Sequence, residues 1–262
     1  MLQIPINIAT TLLIYNKPYY SLTNKGDDRL KISMKKRKIG YTYGSVSGYF
    51  AFRKQKSIAF ESTLERDLLT LLEFNDSVCD VIEQPITIEY INANGRNTTY
   101  TPDFLVYFNE TETILLDVVR KPLLIEVKPR RIIQKKFKDL RPKFKIATKY
   151  ASQNDMIFKI YDEEKIRGAY FQNITFLKRY KNLEYDLDEE QRILTYVDML
   201  GSTTIDHILE SLFITKIQKG LALGQIWHLL ANKSLLCLYG EPLNYQTTVW
   251  LNDNYDEEKL NG

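Results

Sequence analysis

Three charged residues stand inside apolar runs of this sequence. Asp103 lies in "YTPDFLVYF" (100–108), and Glu126 and Lys128 lie in "LLIEVKP" (123–129). A charge is costly to desolvate unless it is paired, hydrogen-bonded or bound to a metal. Alternate residues of a strand share a face, so Glu126 and Lys128 project together while Ile125 and Val127 turn to the other side. Two carboxylates and a lysine are the parts that metal-assisted phosphodiester hydrolysis needs. Oxygen ligands hold Mg²⁺, which keeps several of its waters, and a cation orients the attacking water and balances charge on the phosphate. Pro102 restrains the backbone just before Asp103. Glu65, in the preceding helix, is the natural third acid. Glu61, four residues earlier, is its rival. In "LLDVVRK", Asp117 and Arg120 imitate the Glu-x-Lys pattern poorly, because the cation falls one residue too late to share the face. Gln84, beside Pro85, has two readings, a hydrogen-bonding support behind the site and a plain structural role, and the second is preferred.

The elements that must hold these residues can be read from their periodicity. "STLERDLLTLLEF" (62–74) carries Leu64, Leu68, Leu71 and Leu72 at helical spacing, with Ser62 or Thr63 as cap. The stretch before it alternates apolar and polar residues among glycines and reads as short strands or extended loops. "VCDVIEQPITIEYI" is extended and broken at Pro85. "YTPDFLVYF", "TILLDVV", "PLLIEVK" and "MIFKIYDEE" read as strands. Residues 132–153 read as a basic helix that Pro142 kinks or starts. This is a mixed α/β domain over residues 1–180. In residues 181–262 the pattern changes to three helices, the last reading as "LALGQIWHLLANK", followed by a hairpin of "SLLCLY" and "YQTTVWL". Three helices and a hairpin is the order of a winged-helix-like domain.

The bulk composition narrows the chemistry. The chain of 262 residues has only two histidines, His207 and His228, and two cysteines, Cys79 and Cys237, without CxxC spacing. A histidine-based nuclease, a Ser-His hydrolase, a zinc site and a disulfide framework are all poorly provided for. No apolar run reaches the roughly 18–20 residues of a membrane helix, and the first residues lack a signal-peptide pattern, so the expectation is a cytoplasmic protein with no membrane partner. The net charge of +3 hides segregation: residues 17–56 carry eleven Lys and Arg against two acids, and residues 120–149 twelve against two. Basic blocks on both sides of the candidate ligands are the footprint of a polyanion partner. The cations expected to hold phosphates are Lys35, Lys36, Arg37, Lys38, Arg53, Lys54 and Lys56 in the first block, and Arg130, Arg131 and Lys135 in the second.

The order Glu65, Pro102-Asp103, Glu126-x-Lys128 resembles the restriction-endonuclease-like nuclease superfamily. "AFESTLERDLLTLLEFNDSVCDVIEQPITIEY", "YTPDFLVYF" and "LLIEVKP" together resemble one branch, the TnsA family, over roughly residues 35–165 by motif, and the C-terminal layout is similar to that family's as well. The resemblance implies a restriction-endonuclease-like mixed-sheet domain followed by a small winged-helix-like domain. It implies an endonuclease subunit of a heteromeric transposase that cuts the 5′ strands at transposon ends, while a separate DDE transposase subunit cuts and joins the 3′ strands. It further implies contact with an ATPase regulator, partly through the C-terminal domain. Carried over by motif, Glu65, Asp103, Glu126 and Lys128 form the active site, with Glu65, Asp103 and Glu126 holding Mg²⁺, for which Mn²⁺ substitutes. Relatives carry Glu or Gln at the position of Glu126. The added "ILLDVV" segment lengthens the spacing between Asp103 and Glu126. Two other readings stand beside this one: a stand-alone restriction-type or junction-resolving nuclease, and a non-catalytic DNA-binding adaptor on the same fold. The poverty of cations in residues 219–233 favours protein docking over DNA reading for the last helix.

Overall fold

The structure, a computed structural model, describes residues 32–33, 46–92, 95–109 and 121–252. The "TILLDVV" segment with Asp117 and Arg120, and the cations Lys35 to Lys38, lie outside the described residues.

A four-stranded mixed sheet carries the molecule's first half. Its order is β4 (Val78–Glu83), β7 (Phe104–Phe108), β8 (Leu123–Val127) and β9 (Ile157–Tyr161), with β8 and β9 parallel and the other pairs antiparallel. Strand alternation divides its side chains between two cores. Phe104, Val106, Ile125 and Val127 pack with Leu64 and Leu68 of helix α1 (Thr63–Phe74) and with the hairpin of β2 (Gly48–Phe52) and β3 (Lys56–Phe60). Leu105 and Leu124 face the other way, onto Ala147, Tyr150 and Ala151 of helix α3 (Phe137–Gln153). The sheet is thus covered on both faces, and β8 is apolar except at Glu126.

Helix α1 starts where the sequence says it should. Ser62 is its cap, its hydroxyl accepting the Glu65 N–H at 3.1 Å. The basic segment after β8 differs from expectation. A short helix α2 (Arg130–Lys135) ends at Lys136, and α3 runs from Phe137 straight through Pro142. Proline there removes one early hydrogen bond, while the buried face of α3 keeps the helix packed.

A second sheet packs against the first, its Ile88 and Tyr100 sharing a core with Leu105 and Leu124. Strands β5 (Thr87–Ile91) and β6 (Asn97–Tyr100) form a hairpin that also pairs with β1 (Ile32–Ser33). The chain bends between β4 and β5 at Gln84-Pro85 and between β6 and β7 at Pro102-Asp103. Gln84 takes φ of 44°, and its N–H donates to the Asp103 carbonyl at 2.8 Å, which fastens the two bends together. The prolines stop both ladders from continuing.

Past β9 come helices α4 (Glu163–Ile166) and α5 (Ala169–Leu177), then α6 (Leu187–Leu200), β10 (Ser202–Thr204), α7 (Ile205–Leu212), α8 (Lys216–Ala231), β11 (Leu235–Cys237) and β12 (Thr248–Leu251). The three strands form an antiparallel sheet in the order β10-β12-β11, so the expected hairpin is present and β10 is an addition. Thr204 caps α7, and a capping box of Thr215 and Gln218 starts α8 five residues earlier than the apolar pattern shows. Leu177 of α5 already belongs to this C-terminal core. The two halves meet at the last turn of α1: the Lys233 ammonium contacts the Phe74 carbonyl and Asp76, and Asn173 donates to the carbonyls of Tyr239 (2.9 Å) and Glu241 (2.6 Å).

Candidate active site

The four residues singled out by type and spacing come together at one rim of the four-stranded sheet. Phe104 pairs with Ile125, so the register carried one step further sets Asp103 across from Glu126. The Asp103 N–H donates to the Ile125 carbonyl at 2.9 Å, and its Oδ2 accepts the Val127 N–H at 2.6 Å. Backbone and side chain of Asp103 are therefore both tied to β8. Glu126 is 3% exposed, yet both of its oxygens are satisfied. Oε1 lies 2.8 Å from the Lys128 ammonium, and Oε2 accepts the Tyr100 hydroxyl at 2.7 Å.

Glu65 reaches the same rim from the first turn of α1. Its oxygens accept from the Ser62 hydroxyl and the Glu61 N–H, each at 2.8 Å. The rival Glu61 supports it: its own carboxylate takes the Gln84 amide at 3.2 Å, and its backbone orients Glu65. Gln84 thus serves both the bend, through its N–H, and the support behind the site, through its side-chain amide on Glu61.

The electrostatics show how tightly these groups are gathered. Burial, then the charges of Glu126 and Glu65, push the Asp103 carboxyl well above the ordinary aspartate range, against the pull of Lys128 and the Val127 N–H. Burial likewise raises Glu65, offset in part by the Glu61 N–H and the Ser62 hydroxyl. Burial works against the charge of Lys128, but Glu126, Asp103 and Glu65 outweigh it and hold the ammonium above the usual lysine value. Burial and the Glu126 charge also drive the Tyr100 phenol far up, so it stays a donor. Among the described residues, these three carboxyl groups share one cation. Fully ionised, that surplus is about two negative charges, and an environment of this kind stabilises a bound divalent ion.

The donor set is hard oxygen, which suits Mg²⁺ and not a soft metal. Among the described residues, no three acids, histidines or cysteines stand together closely enough to hold a metal ion as they are. The reason is visible in the hydrogen bonds: Glu126 is taken by Tyr100 and Lys128, and Glu65 by its own helix cap. The fit is one of chemistry and charge: to close on an ion Glu126 must release Lys128 from Oε1, and Glu65 must release its helix-cap partners.

The basic residues divide. Arg53, Lys54 and Lys56 sit at and beside the β2–β3 turn, by the far end of α1. Arg53 donates to the Glu73 carboxylate from its backbone and to the Asn75 carbonyl from its guanidinium, Lys54 to Asn182, and Lys56 to Asp80. Glu73 is eight residues from Glu65, about 12 Å along the helix. These cations are therefore not gathered beside the acids. The second block is nearer, because it follows Lys128 directly. Arg130 is engaged with Glu164 and, through its N–H, with Glu163 at 2.8 Å. Arg131 and Lys135 are exposed, and Lys138, Arg141 and Lys145 form an exposed stripe along α3.

The residue that sequence reasoning missed is Tyr100. An aromatic residue in a strand reads as core, and its ring does pack there; only the fold reveals that its hydroxyl meets Glu126. No helix among the described residues is long and apolar enough to cross a membrane.

Comparison with known families bears on both halves. A model described as the TnsA-like endonuclease N terminal matches residues 75–163, and one described as the TnsA endonuclease C terminal matches residues 165–237. Asp103, Glu126 and Lys128 fall within the first match, and Glu65 precedes it. No curated protein matches the sequence. The two matches follow one another in order and together take in more than half of the chain, through the sheet that carries the acids and the helices beyond it, so the chain belongs to the TnsA family of transposon-associated endonucleases.

Proposed function

We propose that this chain cuts the 5′ strands at transposon ends, with Mg²⁺, as one subunit of a transposase whose DDE subunit handles the 3′ strands. The observation that supports it most is the surplus of carboxylate at the rim: Asp103, Glu126 and Glu65 around Lys128, their one cation among the described residues. Asp103, Glu126 and Glu65 would hold the ion. When bound, it supplies Lewis-acid polarisation of the scissile phosphate and acidifies water.

The protein's own groups do the rest. Asp103, pinned to β8 through its backbone and the Val127 N–H, fixes where the ligand oxygens converge. Lys128, kept protonated by the acids, orients the attacking water and balances charge building on the phosphate. Arg131, Lys135 and the α3 stripe hold the DNA backbone, and Mn²⁺ can replace Mg²⁺ because the ligands are all oxygen.

The C-terminal part is proposed to be a winged-helix-like unit that docks a protein, the ATPase regulator. We place its start near residue 180, with α5 packed onto its core. In support, Ile214, Ile217 and Leu221 at the start of α8 are 93%, 78% and 65% exposed. Among the cations there, Lys219 is paired with Glu210 and Lys233 with Asp76, while Lys216 is exposed. An apolar face with so few open cations suits a protein better than a phosphate backbone.

The test is strand-resolved cleavage of transposon-end DNA by the reconstituted transposase in Mg²⁺, comparing wild type with Asp103→Ala. Loss of the 5′ cut alone is the expected result. Equal 5′ cuts from both proteins would leave the adaptor reading, and specific cutting by the isolated chain would favour the stand-alone nuclease.

A further inference from the structure

Glu126 is the most buried of the three acids, and its two oxygens are held by different kinds of partner. Lys128, on Oε1, is 30% exposed and has room to turn toward DNA. Tyr100, on Oε2, is 6% exposed and comes from a strand on the other sheet. A carboxylate's terminal torsion is broad and two-fold, so burial alone does not set its plane. A second fixed donor does.

Several features of the fold bring that donor in. Tyr100 is the last residue of β6 and pairs with Ile88 of β5. The bends at Gln84-Pro85 and Pro102-Asp103 turn this hairpin over the sheet, and the hydroxyls of Thr87 and Thr101 bridge it at 3.0 Å just past Tyr100. The same linkage that sets Asp103, through Gln84, also sets Tyr100 three residues earlier. A phenylalanine would fill the same apolar site, so packing does not require the hydroxyl. Tyr150 shows the contrast: it is as deeply buried in the same core, and its hydroxyl has no hydrogen-bond partner among the described residues.

We propose that Tyr100 is a positioning residue that holds Glu126 in its metal-binding orientation through the hydrogen bond to Oε2. The inference rests on the reading of the acids as Mg²⁺ ligands. In that reading Lys128 leaves Glu126 Oε1 to serve water and phosphate, and Tyr100 alone then keeps the carboxylate in place. Partners of this kind, one bond removed from the ion, change metal affinity or activity by about 10- to 100-fold when removed.

The test compares wild type, Tyr100→Phe and Asp103→Ala in the reconstituted transposase and as the full chain alone. Tyr100→Phe should raise the Mg²⁺ concentration giving half-maximal 5′-strand cleavage by about tenfold or more, leaving the KM for end DNA unchanged. On the chain alone, the rise in Tm that Mg²⁺ produces should need correspondingly more Mg²⁺, while the circular dichroism spectrum without metal stays that of wild type. A merely structural tyrosine would lower Tm without moving either Mg²⁺ midpoint, and that result overturns the proposal. If Asp103→Ala also keeps the wild-type cleavage and Mg²⁺ response, it is the reading of the site that fails.

Discussion

Two buried charge clusters lie within three residues of each other on α1, and they are built on opposite plans. Asp67 is 4% exposed and accepts from Arg66 at 2.9 Å and from Arg167 at 2.8 Å. One acid meets two cations, and the cluster fastens α1 to the segment before α5. Two residues earlier, Glu65 belongs to a group in which three acids meet one cation. Compensated charge holds the architecture together. Uncompensated charge raises pKa values and costs stability, and a site keeps it for a ligand of opposite sign.

Removing Lys128 should break this contrast most violently. Lys128→Ala removes the acids' one counter-charge among the described residues and takes away the group proposed to face the phosphate. We expect 5′-strand cleavage to fall by about 100-fold or more, the scale of removing one donor to the transition state, in the strand-resolved assay. Wild-type cleavage by this variant would show that the lysine only balances charge.

Asp67→Ala attacks the compensated cluster. It strands two half-exposed arginines and should cost about 1–3 kcal/mol of stability, measured by urea unfolding. Cleavage per folded molecule should stay near wild type, since the carboxylate of Asp67 is bonded by Arg66 and Arg167 and not by the site's residues.

Asp103→Asn tests the cost of the surplus. The Asp103 pKa is raised above its unfolded value, so the native state binds the proton more tightly. Its stabilising share is fully present below the unfolded pKa, about 3.9, and is lost as pH rises through the higher folded value. Without divalent ions, the variant should therefore melt a few degrees above wild type near pH 7, and the gap should close below about pH 4. A variant less stable at neutral pH would mean that the aspartate's hydrogen bond to Val127 outweighs the repulsion.

The smallest effect is expected at the basic stripe of α3 that is proposed to face DNA. Replacing Lys138, Arg141 and Lys145 by alanine should weaken DNA binding modestly. The slope of log affinity against log salt should flatten by about 0.9 for each phosphate that the variant no longer neutralises. An unchanged slope would move the DNA track elsewhere.

The sequence carried the chemistry of this site further than its geometry. Pro102-Asp103 and Glu126-x-Lys128 are local patterns in strands, and strand alternation is enough to set which face they share. Ser62 as cap of α1 follows from the same local logic, and it places Glu65 in the first turn. What local patterns cannot show is partnership across sheets. Tyr100 reads as core until the two proline bends fold β6 back toward β8. The first basic block reads like the second, although Arg53, Lys54 and Lys56 serve hydrogen bonds at the far end of α1. The start of α8 escapes the apolar pattern because Ile217 and Leu221 face solvent; Thr215-x-x-Gln218 is the signal that marks it. β10 is three residues long and reads as the lead-in to α7.

The most direct test of the central claim, that surplus carboxylate at the sheet rim holds a divalent ion, is Mg²⁺ titration by calorimetry on the full chain, wild type against Asp103→Ala. The account predicts saturable uptake by wild type that vanishes or weakens by at least about tenfold in the variant. Identical uptake by both proteins would contradict it, and would make Asp103 a buried structural charge.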